Sequence, residues 1–396
     1  MAATSRAMPL GDVIRFGNGK AIKPGGEGCY RVYGSNGIIG GCDEFRYENG
    51  VIIGRVGAYC GSVAYCPEKF WASDNTLVAF PASDHFDTKF LFYLLTDAKL
   101  SRYAGGAAQP LVTQTVLKQV EVCVPPLPVQ RRIAGILSAY DELMENNQRR
   151  IKILEEMARS LYREWFVNFR FPGHEKVPRV DSSLGKIPER WEVKSLGEMC
   201  AVVPGFAFKS QDWQESGVPV VKIKNIQSDN TVDINDTDFV SEEIAERTPP
   251  KFTLKHGEFL LAMTGATAGK IGRLRSRRPM LLNQRVAKIL PHDGFGSFAW
   301  CAISSEEAKD RFFRLADGAA QPNMSGSQIE RIMLTTPTMD VLNSFSKMTD
   351  AILIQSDNLY LKNLNLRRAR DLLLPKLISG ELTVCHVDTW REAYLA

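Results

Sequence analysis

Hydrophobic and polar positions along the chain follow two alternating regimes. Through 1–126 and again through 191–338, short apolar or β-branched runs (51–56, 76–80, 218–223, 259–263) are broken by turn signals such as Gly34-Ser35-Asn36-Gly37 and Glu48-Asn49-Gly50. Runs of that length bounded by Gly, Asn and Ser predict strands and tight turns. Helical patterns at 88–100 and 304–315 sit inside these stretches, so each reads as a β-rich α+β domain. Through 127–171 and 339–383 the period becomes seven. Ile133, Tyr140, Leu154 and Leu161 recur with Ile136, Leu143 and Met157 three residues on, then Phe345, Ile352, Leu359, Leu366 and Leu373. Heptads sustained this long predict two long helices that pair as a coiled coil, each ~55–60 Å at about 1.5 Å per residue. Asn147 falls at a seam position, a polar insertion of the kind that fixes register at a cost in stability. Residues 172–190, rich in Pro, Gly, Ser and charge, predict a linker, and 384–396 a tail.

The chain is also written twice. Gly57-Ala58-Tyr59-Cys60-Gly61 returns as Gly265-Ala266-Thr267-Ala268-Gly269 at an offset of 208 (265 − 57), which the sequence carries on to Asn75 and Asn283. Gly106-Ala107-Ala108-Gln109-Pro110 returns as Gly318-Ala319-Ala320-Gln321-Pro322 at 212 (318 − 106), and that offset holds through Pro125/Pro337 and along the helices. Leu10-Gly11 and Gly19 match Leu196-Gly197 and Gly205 at 186 (196 − 10). A repeat of this length predicts a pseudo-two-fold molecule: two β-rich α+β modules separated by two long antiparallel helices.

Composition narrows the function classes. With 49 Lys+Arg against 45 Asp+Glu the net charge is +4, which permits nucleic-acid binding and argues against an acidic DNA mimic. Eight irregularly spaced cysteines without a C-x-x-C pair, and no leader-like start, predict free thiols in a reducing cytoplasm. No apolar run reaches the roughly 18–20 residues of a membrane span. Gly265-Ala266-Thr267-Ala268-Gly269-Lys270 is one residue short of a phosphate loop and places Ile271 where Ser or Thr must hold Mg²⁺. His85, His174, His256, His292 and His386 stand apart, without metal-ligand spacing. Neither Pro125-Pro126 nor Pro249-Pro250 follows the Asn or Asp of a methyltransferase motif. The expectation is a chain with no catalytic centre and no metal or cofactor of its own.

Pro125-Pro126-Leu127-Pro128-Val129-Gln130-Arg131-Arg132-Ile133-Ala134, opening the first helix, resembles the start of a conserved region in type I restriction–modification specificity subunits. Leu161-Tyr162-Arg163-Glu164-Trp165-Phe166 and Leu374-Pro375-Lys376-Leu377-Ile378-Ser379-Gly380-Glu381-Leu382 resemble the ends of their two helical regions. Ile187-Pro188-Glu189-Arg190-Trp191 is similar to their lead-in to a target-recognition domain, a phrase that the first copy lacks. The resemblance implies that each recognition domain reads one half of a split, asymmetric site in double-stranded DNA. It implies that the helices dock two methyltransferase subunits, with restriction/translocase subunits joining through the complex. S-adenosylmethionine, ATP and Mg²⁺ would all sit on those partners. Two alternatives stay open: an adaptor in a methylation-based phage-defence system without a nuclease, and a scaffold for methyltransferase subunits that binds no DNA.

Phosphate contacts call for Lys and Arg, base edges for Arg, Lys, Asn and Gln. Lys20, Lys23, Arg55, Tyr59 and Gln109 are the candidates in the first module. In the second they are Lys222, Lys224 and Asn225 on an expected strand, Thr267 and Lys270, Arg275 and Arg277 in a basic run with Arg273 and Arg278, and Gln321. Residues that recur in both modules are expected to be structural or phosphate-binding. Base readers belong where the copies differ.

Overall fold

The computed structural model describes residues 5–23, 25–26, 28–106, 110–316 and 323–384. The chain divides into two compact units, Met1–Glu145 with Asn365–Ala396, and Asn146–Leu364. The division falls inside both long helices, Leu127–Tyr162 and Met339–Ser379, so each unit holds one module and a length of each helix. Among the described residues no helix is long and apolar enough to cross a membrane.

The first unit is built on a six-stranded sheet in the order Ile14–Asn18, Thr76–Pro81, Tyr47–Gly54, Val63–Ala72, Tyr30–Gly34, Gly37–Cys42. The period of two assigns its faces. Val51 and Ile53 join Leu77 and Ala79 under the helix Thr88–Asp97, whereas Ile52 turns to Tyr33, Phe70 and Val78 on the other side. Asp87 caps that helix by accepting from the Phe90 N–H at 2.9 Å. Ile133, Ala134 and Leu137 of the first long helix and Leu374, Leu377 and Ile378 of the second complete this core. The sequence signal Glu48-Asn49-Gly50 is not a turn. It is a bulge inside Tyr47–Gly54, with Asn49 taking the left-handed conformation.

The second unit repeats that plan with an addition. A four-stranded sheet runs Cys200–Pro204, Val286–Pro291, Phe259–Ala262, Ile271–Arg273; a five-stranded one runs Trp213–Gln214, Asp238–Val240, Val218–Val221, Met280–Leu282, Thr253–Leu254. Trp165, Phe166, Phe171, Trp191, Phe298 and Phe345 are buried in one cluster, with Phe166 at 4.8 Å from Phe345 and Phe171 at 5.0 Å from Trp191 between ring centroids. The expected linker is therefore ordered. Residues Arg179–Ser182 and Gly185–Pro188 pair as a hairpin whose Ile187 reaches the core.

Backbone hydrogen bonds make the repeat explicit. Leu10 N donates to Val120 O as Leu196 N does to Ile332 O, at 186 and 212; Gly61 N donates to Gly54 O as Gly269 N does to Ala262 O, at 208. The bonds also correct the alignment. Ser73 N donates to Tyr33 O and Asn283 N to Val221 O, while Gly19 N and Gly205 N donate to Thr76 O and Val286 O. Asn283 thus stands in the place of Ser73, at 210, and not in that of Asn75. Gly19 and Gly205 are glycine for one reason: a Cβ would lie 1.7 Å from Ser73 O and 2.2 Å from Asn283 O.

Within each unit the long helices run antiparallel. In the first, Arg370 donates to Asp141 at 2.5 Å; in the second, Asn147 donates to Asn363 at 2.8 Å, Ser356 to Glu155 at 3.2 Å, and Tyr162 meets Phe345. Of the heptad positions on the second helix, Phe345 and Leu359 are buried, and Ile352, Leu366 and Leu373 half-buried. On the first, Ile133 and Asn147 are buried and Tyr140, Leu154 and Leu161 half-buried, but Leu143 and Met157 face solvent. The buried line there runs through Leu137, Asn147, Ile151, Glu155, Ala158 and Trp165. An apolar count misplaced it because Glu155 occupies the seam and Asp141 lies half-buried on it.

Candidate nucleic-acid interface

Five loops of the first module converge on one rim. The Ser35 hydroxyl donates to Asn75 O at 2.7 Å, and the Ser62 hydroxyl to Ser35 O at 2.5 Å. Gly57 N donates to Pro110 O, Val112 N to Arg55 O, and the Gln114 amide to Asn18 Oδ1 at 2.8 Å. Gly61 must be glycine, since it holds a φ of +83° and a Cβ would meet Ser101 N at 2.2 Å. The recurring Gly-x-x-x-Gly is therefore a turn requirement first. The turn displays two of the sequence candidates: Tyr59 is exposed, and Arg55 is half-buried with an Nε that has no partner among the described residues. Lys20 and Lys23 are exposed on the neighbouring segment, and Gln109 lies outside the described residues.

The second module forms the corresponding rim with different side chains. Thr264 bridges Asn323, Met263 N donates to Arg285 O, and Gln284 N to Phe206 O. Thr267 and Lys270 are half-buried on this loop, Gln284, Arg285 and Asn323 are exposed beside them, and Gln321 lies outside the described residues. Gln284, Arg285, Asn323 and, in the first module, Asn18, Asn36 and Gln114 were missed from sequence. The signal was present in the repeat, but the misplaced Asn75/Asn283 pairing hid which residues share the rim.

Several sequence candidates serve the fold instead. The strand Val218–Val221 ends before Lys222, and residues Ile223–Asn225 form a single tight helical turn. Asn225 is buried and staples that turn, donating to Asp233 O and Asp236 O and accepting from Lys222 N at 2.8 Å. The Lys222 ammonium sits 3.2 Å above the Trp213 ring and 3.1 Å from Asp238; Lys224 pairs with Asp236 at 3.2 Å. Burial pulls Lys224 down, but the two carboxylates outweigh it and hold its pKa above the usual lysine value. These charges are largely answered within the module.

Arg275 is the clearest correction. It is 2% exposed, donating to Glu155 at 2.5 Å, to Asp357 at 2.8 Å and to Ser356 at 3.2 Å. Arg273 pairs with the same Asp357 at 2.8 Å. Burial alone would lower the Arg275 pKa, but Glu155 and Asp357 raise it, so the side chain is a locked cation joining module to both helices. It is not presented to a duplex. Arg277 remains exposed, and Arg278 donates to Ile234 O. The first unit has a counterpart in different residues: the Tyr93 hydroxyl donates to Asp141, itself bound by Arg370. Burial, then the carboxylate, pushes Tyr93 far above its ordinary pKa.

A cleft of about 290 Å³ in the second unit is lined by Lys152, Arg159, Ser228, Asp229, Asn230 and Cys301, among others. Its Arg159 pairs with Glu155 and Glu156, and burial pushes the Cys301 thiol up to about 12, which suits an inert thiol. His174 and His292 rest on backbone carbonyls at 2.8 and 3.1 Å. Among the described residues no group of His, Cys, Asp and Glu is placed to hold a metal.

Comparison with known proteins gives the same picture. The family profile described as type I restriction modification DNA specificity domain matches residues 4–156 and 188–347. The chain is 26% identical over 362 residues to the type I restriction enzyme MjaIX specificity subunit of Methanocaldococcus jannaschii, covering 87% of this chain and 80% of that one. It is 22% identical to the HindI specificity subunit of Haemophilus influenzae, covering 80% and 82%. Its fold matches the crystal structure of the type I restriction–modification system S subunit from M. genitalium with a TM-score of 0.61 at 20% identity, over 95% and 96% of the two chains.

Proposed function

Because this chain belongs to the type I restriction–modification DNA specificity family, whose members recognise DNA and are not themselves enzymes, we propose that each of its modules reads one half of a split, asymmetric site while its helices dock two methyltransferase subunits. The observation that carries this reading is one scaffold built twice, with the same backbone bonds and different rim side chains. A protein with true two-fold symmetry reads a palindrome; one with two unlike modules reads two unlike half-sites. Docking has its own support. Ile153 and Met157, one turn apart on the first long helix, and Met348 and Ile354 on the second are exposed apolar side chains away from the seam. S-adenosylmethionine, ATP and Mg²⁺ belong to the partners, and restriction/translocase subunits join through them.

The test is reconstitution. The purified chain with S-adenosylmethionine, Mg²⁺ and ATP should methylate and cleave nothing, and should direct adenine methylation at one split site once methyltransferase subunits are added. Robust activity from the chain alone, or methylation without sequence preference in the complex, would overturn the reading.

A further inference from the structure

Two modules on one scaffold can read two unlike sequences only through what they do not share. The shared bonds step from an offset of 186 at Gly19/Gly205 to 208 at Gly61/Gly269. Between those points the distance from Gly19 to Val51 is 32 residues (51 − 19), and from Gly205 to Phe259 it is 54 (259 − 205). Tyr33 and Val221, which accept the matching bonds from Ser73 and Asn283, stand at 188 (221 − 33), so nearly all the extra length falls after them and builds the strand Asp238–Val240 and the helix Glu242–Arg247 in the second module. In the first, Tyr30–Gly34 instead turns directly into Gly37–Cys42, a hairpin whose outer strand is the edge of the sheet.

That hairpin is fastened to the rim by its own turn. Ser35 donates to Asn75 O and accepts from Ser62, and both its carbonyl and Tyr59 O lie against Gly54, so the turn that leads into Asn36 is held at the loop of Arg55 and Tyr59. Ile38 and Ile39 are 55% and 38% exposed. Ile38 faces Tyr33 and Gly40 faces Val32, so Ile39 is the extra residue of a bulge, a device that bends a strand and re-aims its side chains, and two adjacent apolar groups are offered at the tip of one ribbon. Gly37 and Gly40 flank them at φ of +99° and +151°, leaving bare backbone on either side. Gly25 covers this edge at Gly41 with two backbone bonds, and an apolar stretch of edge such as Ile38-Ile39 is a liability that proteins blunt unless it meets a partner. The major groove admits a two-stranded β-ribbon and presents thymine methyl groups and the N6/N7 pair of adenine there.

Resting on the reading of this chain as a two-module DNA reader, we propose that Asn36, Ile38 and Ile39 are specificity-determining residues of the first module. The ribbon enters the major groove at an A·T pair, the isoleucines packing on the thymine methyl and the Asn36 amide facing adenine. The second module puts ion-paired lysines in the corresponding stretch, so its half-site is read by other chemistry.

The experiment uses the complex with methyltransferase subunits. Wild-type binding is measured on its own site with each thymine of the first half-site replaced by uracil, which removes only the methyl. At least one replacement should weaken binding about fourfold, the worth of one buried methyl group. In I38S/I39S that penalty should vanish. N36A should relax the first half-site in sequenced methylation products while the second half-site stays intact. Uracil tolerated at every position, relaxation of the second half-site, or an equal loss on all DNA in the variants would overturn the proposal. A wild-type complex that binds no DNA would instead overturn the functional reading beneath it.

Discussion

Arg275 holds two carboxylates that would otherwise be buried charges, Glu155 at 2.5 Å and Asp357 at 2.8 Å. Without Arg275, Glu155 keeps only Arg159 at 3.9 Å while Asp357 keeps Arg273 at 2.8 Å, so the loss should lie at the low end of the about 3–5 kcal/mol that an uncompensated buried charge costs. R275A should therefore lower the denaturant midpoint sharply, and E155Q/D357N should recover part of the loss in the R275A background. Arg277, exposed two residues on, should tolerate alanine within about 0.5 kcal/mol. If Arg277 lies on a phosphate, R277A lowers the slope of log K against log salt by roughly 0.9 with sequence preference unchanged. A stable R275A would contradict the packing described. Residue type alone could not separate these two arginines, because the partners of Arg275 lie 120 and 82 positions away in sequence.

At the level of elements, the long helices were legible and their seam only partly so. The heptad of Phe345, Ile352, Leu359, Leu366 and Leu373 is one of two buried lines on the second helix; the other carries Thr349, Ser356, Asn363 and Arg370. Polar residues at a seam are invisible to an apolar count. They become seam residues only when a partner faces them, as Asp141 faces Arg370 and Asn147 faces Asn363. Such pairs fix register more than they add stability. The double variant N147L/N363L should therefore raise the melting temperature while loosening the helix register, seen as methylation at sites of more than one spacer length. A lowered melting temperature with a single spacer retained would assign the pair a stabilising role instead. The strands were legible from β-branched runs and turn signals. The bulge at Asn49 and the hairpin at residues 179–188 were not, because both depend on tertiary partners that composition does not name.

For the whole molecule, the repeat is the fact from which function follows, and it is legible in the sequence. Its limit was the two-residue slip between 208 and 210, which only the bonds of Ser73 and Asn283 reveal. A chain ending near Pro172 keeps the first module and first helix but loses Leu374, Leu377 and Ile378 from the core around Leu137. A second copy can supply an equivalent helix, with Asn147 setting the register of the new pair. The most direct measurement is sequencing of methylated adenines produced by residues 1–172 together with methyltransferase subunits, with the fragment's oligomeric state read by sedimentation. Two readers on one scaffold predict a dimer that methylates an interrupted palindrome made of the first half-site and its inverse. A monomeric fragment, or methylation of the original asymmetric site, would contradict the account.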